Sequence, residues 1–147
     1  MELTQGRNMT FYSKVNENDI ERRKKEFNDL PGVYILRSGT PTSPNPVHRA
    51  GGVDKDGVLY VGMSSLLRSA RVSELKKSLS PTSPTTGHSA GMRYNQNDAL
   101  KERFPYDELF IELIPSVTRE EAGSKEGILL KEYLDKFGEV PPLNRTK

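Results

Sequence analysis

The sequence predicts an α+β fold, a small three-stranded antiparallel sheet flanked by helices. Two short runs rich in β-branched and aromatic residues, Val33–Leu36 and Val58–Val61, are typical of strands that pair as a hairpin. A third run, Glu108–Ile114, alternates apolar and polar residues, as a half-buried strand does. Helical periodicity resumes after Thr118 and predicts a long final helix.

Composition indicates one modest domain. Of the 147 residues, 33% are hydrophobic and 29% are charged, which suits a single core. The net charge of +2 is weakly basic, so contact with a polyanion would depend on local clusters of cations. The absence of cysteine excludes thiol catalysis, thiolate zinc sites and disulfide scaffolds. Neither a signal peptide nor an apolar stretch of about 20 residues is evident, so we expect a cytoplasmic protein with no membrane partner.

Residues 1–30 are predicted to form a polar lead before the domain. A short helix near Asp19–Asn28 carries four successive cations, which suit either a solvated helix face or contact with a phosphate backbone. Pro31 and Gly32 end this helix and open the first strand. The domain itself is expected over residues 31–147.

A long loop insertion, at about 38–57, separates the first two predicted strands. Its central part, Gly39–Gly52, contains three prolines and three glycines and has no apolar periodicity. This composition predicts an elongated, exposed hairpin loop. His48 and Arg49 in the loop are candidates for contact with a phosphate, although an inert loop fits the pattern as well.

Two helices are predicted between the second and third strands. Ser64 or Ser65 can cap the first, which runs to about Leu79 and carries two arginines that are discussed below. The second is predicted over about Arg93–Arg103 and ends before Pro105. Its cations fit an ordinary solvated face as well as a positive surface.

An acidic residue, Glu126, interrupts the apolar stripe of the final helix. A capping box at Thr118 begins this helix, and Gly138 is expected to end it. Ala122 and Leu129 flank Glu126 on the face that should be buried. A buried carboxylate is costly unless it is paired, protonated or bound to a cation. A structural ion pair, a residue at the rim of the core and a metal-binding or catalytic carboxylate therefore all remain open.

Two tripeptides place a tyrosine beside a glycine on each predicted hairpin strand. They are Gly32-Val33-Tyr34 and Tyr60-Val61-Gly62, and paired strands would hold both phenols on one sheet face if the register permits. Together with the residues that follow them in order, these tripeptides resemble the GIY-YIG nuclease family from about Pro31 to Asn144. The resemblance implies a GIY-YIG-like domain that hydrolyses DNA phosphodiester bonds.

The resemblance also implies the members of the site. Glu126, in an Ala-x-x-x-Glu context, would hold one divalent cation, Mg²⁺ or Mn²⁺. The implied catalytic residues are Tyr34, Tyr60, Arg71 or Arg68, His88 and Asn144. The arginine would stabilise charge on the phosphate, and one tyrosine would orient or deprotonate water with His88 as proton relay. Asn144 would position a tyrosine or the phosphate.

The chain departs from the family's pattern in three ways. The 26-residue separation of Tyr34 and Tyr60 requires the insertion, neither Arg68 nor Arg71 has the common family spacing from Tyr60, and the histidine that often follows the arginine on its helix is absent. These departures leave open an alternative, a non-catalytic nucleic-acid or nucleotide binding module on the same fold. A homodimer is also open.

Overall fold

The structure is a computed structural model that describes residues 10–17, 30–82 and 84–145, without the side chains of residues 68 and 69. Within this part, the chain forms an antiparallel five-stranded sheet with four α-helices. The α+β prediction is therefore confirmed. The helix predicted over Asp19–Asn28 lies outside the described residues.

The central strand of the sheet is the one that carries the first tripeptide. The strands are β1 (Phe11–Lys14), β2 (Gly32–Thr40), β3 (Ser43–Pro44), β4 (Val47–Arg49), β5 (Gly52–Asp54), β6 (Val58–Ser64) and β7 (Leu109–Pro115). β2 pairs with β7 on one side and with β6 and β3 on the other, and β1 extends the sheet beyond β7. β4 and β5 form a separate hairpin.

Helices pack against both faces of this sheet. They are α1 (Val72–Leu79), α2 (Ser89–Asn95), α3 (Asp98–Arg103) and α4 (Arg119–Phe137). A π-helical turn at Leu67–Arg71 leads into α1. Among the described residues, no helix combines the length and the apolar character that crossing a bilayer requires.

The sheet separates two hydrophobic cores. On β2, Tyr34 and Leu36 face the larger core, to which α1 and α2 contribute, whereas Val33 and Ile35 face the smaller core under α4. Both faces of β2 are therefore covered, and its first five residues are all buried. This double burial explains why the strand reads as a continuous apolar run in the sequence.

The predicted three-stranded sheet is wrong, because two further strands join it. The three predicted strands form its centre as β6, β2 and β7. β1 falls within the segment predicted as a polar lead. Phe11 and Ser13 are buried and alternate with exposed neighbours, but four residues are too few for this alternation to be recognised in the sequence. β3 contributes only two residues.

The single helix predicted over Arg93–Arg103 is two helices, and the first begins earlier than predicted. His88 caps α2, because its side chain accepts a hydrogen bond from the Ala90 amide. Asn97 caps α3 by accepting from the Leu100 amide. Each cap satisfies an amide that would otherwise lack a partner, so two short helices replace one.

The helix after β6 does not begin at Ser64 or Ser65. β6 continues through Ser64, whose hydroxyl accepts a hydrogen bond from the Leu66 amide. The π-helical turn at Leu67–Arg71 follows, and α1 ends at Leu79 as predicted.

The insertion at about 38–57 contains a paired hairpin, and most of its residues are exposed. β4 and β5 pair, and Val47 is buried. The turn between them meets the end of α4, where the Gly51 amide donates to the Phe137 carbonyl at 2.7 Å. A Cβ on Gly51 would lie 2.9 Å from that carbonyl oxygen, so the approach requires glycine. Backbone contacts of this kind leave no apolar period in the sequence.

Both ends of α4 match the prediction. The Thr118 hydroxyl accepts from the Glu121 amide, and the Glu121 carboxylate accepts in return from the Val117 amide. Gly138 ends the helix with a left-handed φ of 78°.

Candidate active site

A β-bulge in β6 directs Tyr60 toward the sheet face that Tyr34 occupies. Leu36 pairs with Tyr60, but the next residue of β2 pairs with Val58, so Leu59 is the extra residue of the bulge. Tyr34 and Leu36 share one face of β2 because they are two positions apart. Both phenols therefore lie on that face, and their ring centroids are 6.0 Å apart.

Gly62 provides the space for these two rings. A Cβ at this position would lie 2.7 Å from ring atoms of both Tyr34 and Tyr60. A larger residue would displace one of the phenols. The glycine of the second tripeptide is thus a packing requirement of the tyrosine pair.

His88 completes the cluster and is fully buried. Its Nε2 lies 2.8 Å from the Tyr34 hydroxyl, and its ring centroid lies 5.2 Å from that of Tyr60. Nδ1 accepts a hydrogen bond from the Ala90 amide at 3.1 Å and therefore carries no proton. In the neutral ring the proton is then on Nε2, which donates it to the Tyr34 oxygen.

The surroundings keep His88 neutral. Burial, and then the positive charges of Arg71 and Arg93, lower the pKa of His88 from 6.5 to about 4. At neutral pH the ring is a hydrogen-bond donor to Tyr34 with its other nitrogen engaged. A proton relay from Tyr34 through His88 would require the Ala90 bond to break.

The two phenols have different environments. Tyr34 is only 1% exposed, whereas Tyr60 is half-buried. Burial is the main cause that raises the pKa of each phenol. After burial, the neighbouring Tyr60 raises the pKa of Tyr34 further, whereas Tyr34 lowers the pKa of Tyr60. Tyr60 is therefore the phenol that reaches solvent and whose ionised form its partner favours.

Arg71, the last residue of the π-helical turn, reaches the tyrosines. Its Nη1 donates to the Gly87 carbonyl at 3.2 Å. Its charge and its hydrogen bond to Tyr34 oppose the effect of burial on the pKa of that phenol. The side chain of Arg68, the other predicted candidate, lies outside the described residues.

Glu126 is half-buried rather than enclosed in the core. Burial raises the pKa of Tyr60, and the negative charge of Glu126 raises it further, so this carboxylate acts directly on Tyr60. β6 is paired only with β2 among the described strands. Because β6 forms an edge, a side chain from α4 can approach Tyr60 from the other sheet face.

The donor set around Tyr60 fits a hard cation. The described residues contain no group of three or more histidine, aspartate and glutamate side chains that could hold a metal ion. Mg²⁺ needs fewer protein ligands, because it usually keeps several waters and takes phosphate oxygens beside one or two carboxylates. The half-buried carboxylate of Glu126 suits that coordination, and the described side chains do not suit a zinc site, which needs three or four.

Residues after α4 return to the edge of β6. The Asn144 side chain donates to the Val61 carbonyl and accepts from the Val61 amide, both at 2.9 Å. The Leu143 amide donates to the Leu59 carbonyl at 2.9 Å. These bonds hold β6 on both sides of Tyr60, so Asn144 positions the tyrosine through its strand.

Arg93, one of the cations of the second predicted helix, also belongs to this region. Its Nε donates to the Leu143 carbonyl at 3.0 Å, and its Nη2 donates to the same oxygen. Burial raises the pKa of Tyr60, and the charge of Arg93 lowers it. Because the predicted helix began at Arg93, His88 was not expected to cap the helix that carries Arg93. A histidine cap five residues before an arginine is the signal that could have linked them.

The structure thus gathers most of the predicted site residues at one end of the sheet. Tyr34, Tyr60, His88 and Arg71 are in mutual contact or electrostatic range, Glu126 acts on Tyr60, and Asn144 fixes its strand. His48 and Arg49 of the insertion lie on a separate groove beside α3. No protein-family model, curated protein or solved structure matches the chain.

Proposed function

We propose that the protein is a divalent-metal-dependent endonuclease of the GIY-YIG type that hydrolyses DNA phosphodiester bonds. The observation that carries this proposal is the cluster of Tyr34, Tyr60 and His88 beside Arg71 and Glu126. His88 donates to Tyr34, and the ring of Tyr34 lies 6.0 Å from the ring of Tyr60, the phenol that reaches solvent. This arrangement supports a hydrolytic site with one proton acceptor, one fixed cation and one carboxylate.

Tyr60 is the group that activates water. The phenolate of Tyr60 accepts a proton from a water molecule, the oxygen of that water attacks phosphorus, and the bond from phosphorus to the leaving oxygen breaks. Burial and the charge of Glu126 oppose the phenolate, whereas Tyr34 and the charges of Arg71 and Arg93 favour it. Tyr34 and His88 orient the acceptor and do not take the proton.

Arg71 and Glu126 act on the negative charge of the phosphate, Arg71 directly and Glu126 through a bound cation. The guanidinium of Arg71 donates to phosphate oxygens on which negative charge develops. Glu126 would hold Mg²⁺ or Mn²⁺, which when bound stabilises charge on the phosphate and the leaving oxygen.

Cleavage of supercoiled plasmid, linear duplex and single strands, with Mg²⁺ or Mn²⁺ and with a chelator, tests the proposal. We expect cutting that requires the metal. Glu126→Gln removes a metal ligand and should slow cutting about 1,000-fold, since metal catalysis contributes several kcal/mol. The matched control is Glu132→Gln on the exposed side of α4, which should cut normally. Undiminished cutting by Glu126→Gln would defeat the role given to this residue.

One observation favours the second candidate, a nucleic-acid or nucleotide binding module without turnover. Burial raises the pKa of both phenols, and both nitrogens of His88 are engaged, so the cluster has no strong base at neutral pH. Tight, salt-sensitive DNA binding without cleavage at any pH, with either metal, would favour this candidate. The cytoplasmic location stays a prediction.

A further inference from the structure

Two arginines beside the segment that borders β6 have no carboxylate partner in the described part of the chain. They are Arg93 on α2 and Arg145, two residues after Leu143. Burial and then the charge of Arg145 lower the pKa of Arg93, so the two guanidiniums are close enough to repel each other. Such a pair of like charges is unfavourable unless an anion neutralises it.

The protein fixes Arg93 beside the strand that carries Tyr60. The Leu143 carbonyl accepts from two nitrogens of the guanidinium, and the Leu143 amide is bonded to Leu59. The third nitrogen, Nη1, is buried and has no hydrogen-bond partner within the described residues. Nearly all buried donors in folded proteins have a partner, so the guanidinium lacks an acceptor.

Arg145 approaches the same edge from the adjoining segment. It follows Asn144, whose side chain is bonded to both backbone groups of Val61, and its own side chain is exposed. A fixed arginine and a solvent-facing arginine therefore share the Leu143 side of β6. Arg71 lies apart from them, where it contacts Gly87 and Tyr34.

We propose that Arg93 and Arg145 form a second phosphate subsite, which binds the phosphodiester next to the scissile one on the same strand. The inference rests on the proposed function and deepens it, because it identifies a polynucleotide, rather than a mononucleotide, as the substrate. The exposed guanidinium of Arg145 can present its planar fork to two phosphate oxygens, and Arg93 adds a fixed positive charge beside it. Contacts to flanking phosphates set the position of a strand without reading its sequence. An anion at this subsite would offset the repulsion between the two arginines.

The test measures the affinity for a labelled DNA duplex against salt concentration, by fluorescence anisotropy in the presence of a chelator. Each lost phosphate contact reduces the slope of log K against log salt by about 0.9. Arg93→Gln and Arg145→Gln should each reduce the slope by about that amount, and the double variant by about twice as much. Arg93→Lys keeps the charge and should keep the slope. The control is Arg103→Gln, an exposed arginine of α3 outside the cluster, which should leave the slope unchanged.

An unchanged slope in Arg145→Gln, or an equal loss in Arg103→Gln, would overturn the subsite. Arg145→Gln breaks no hydrogen bond among the described residues, so it carries the test even if Arg93→Gln does not fold. If the wild-type protein never cuts DNA, but the variants show a smaller slope of log K against log salt, the proposed nuclease function is refuted and the phosphate subsite is supported. A cutting enzyme whose variants keep the wild-type slope would support the nuclease and refute the subsite.

Discussion

The interior and the rim of the candidate site are built in opposite ways. The interior, defined here as Tyr34 and His88, is closed to solvent, and its polar atoms are bonded to one another or to backbone. The rim, defined here as Tyr60, Arg71 and Glu126, includes half-buried side chains whose charges act on one phenol. The fold thus fixes the direction of hydrogen bonds inside and leaves the charged groups where a ligand can reach them. The interior should govern stability, and the rim should govern turnover.

The largest expected effect is that of Tyr60→Phe, which should lower the cleavage rate without lowering the stability of the fold. Tyr60→Phe removes the water-activating oxygen and should slow plasmid cleavage about 1,000-fold, the middle of the range for general-base catalysis. Its free energy of unfolding, measured in urea, should stay within about 0.5 kcal/mol of wild type, because a half-buried rim hydroxyl contributes little. Tyr106→Phe, a similar change at a half-buried tyrosine before β7, should alter neither quantity. Normal cutting by Tyr60→Phe would remove the distinction between rim and interior.

The buried, neutral His88 of the interior should make the free energy of unfolding depend on pH. The pKa of His88 is about 4 in the fold and 6.5 as its ordinary value, so the unfolded chain binds more protons between these two values. Stability should therefore fall as the pH drops from about 6.5 to about 4, by about 3 kcal/mol in total from this group. In the His88→Gln variant, the free energy of unfolding measured in urea should lack this decrease across the same pH range.

His48→Gln is the matched control for that experiment, because it removes the other histidine, which is exposed. It should keep the full pH dependence. If His88→Gln and wild type lost stability in parallel on acidification, the interior would not hold a neutral imidazole.

A smaller effect is expected where Asn144 supports the rim through β6. Asn144→Ala leaves the amide and the carbonyl of Val61 without their partners and should destabilise the fold by about 2 kcal/mol. Because the strand then holds Tyr60 less firmly, the cleavage rate should fall as well. Both are measurable by urea unfolding and plasmid cleavage, and a variant as stable as wild type would contradict the positioning role.

The smallest effect is a gain in stability on α4. Nothing lies within 4 Å of a Cβ placed at Gly127, so Gly127→Ala should stabilise the fold by about 1 kcal/mol through helix propensity alone. The same substitution at Gly62 should be destabilising, since a Cβ there meets both tyrosine rings at 2.7 Å. Thermal unfolding of the two variants should therefore shift in opposite directions.

The sequence predicted the features that depend on local patterns. The three central strands and both ends of α4 follow from alternation and from the chemistry of Thr118 and Gly138. The orientation of Tyr60 could not be read, because it depends on a bulge at Leu59 that appears only when β6 pairs with β2. The sequence left Arg93 open between a positive surface and a solvated face for a similar reason, since its contact is with a carbonyl that lies 50 residues further along the chain.

The bonds from the segment after α4 to β6 also set the order in which the site can be completed. The partner of Val61 lies 83 residues further along the chain, so it is synthesised long after the strand itself. Until then, this edge of β6 presents unpaired amides and carbonyls, which other chains can bind. Nascent chains should therefore be most prone to aggregation, and their candidate site incomplete, until Asn144 has left the ribosome and closed the edge.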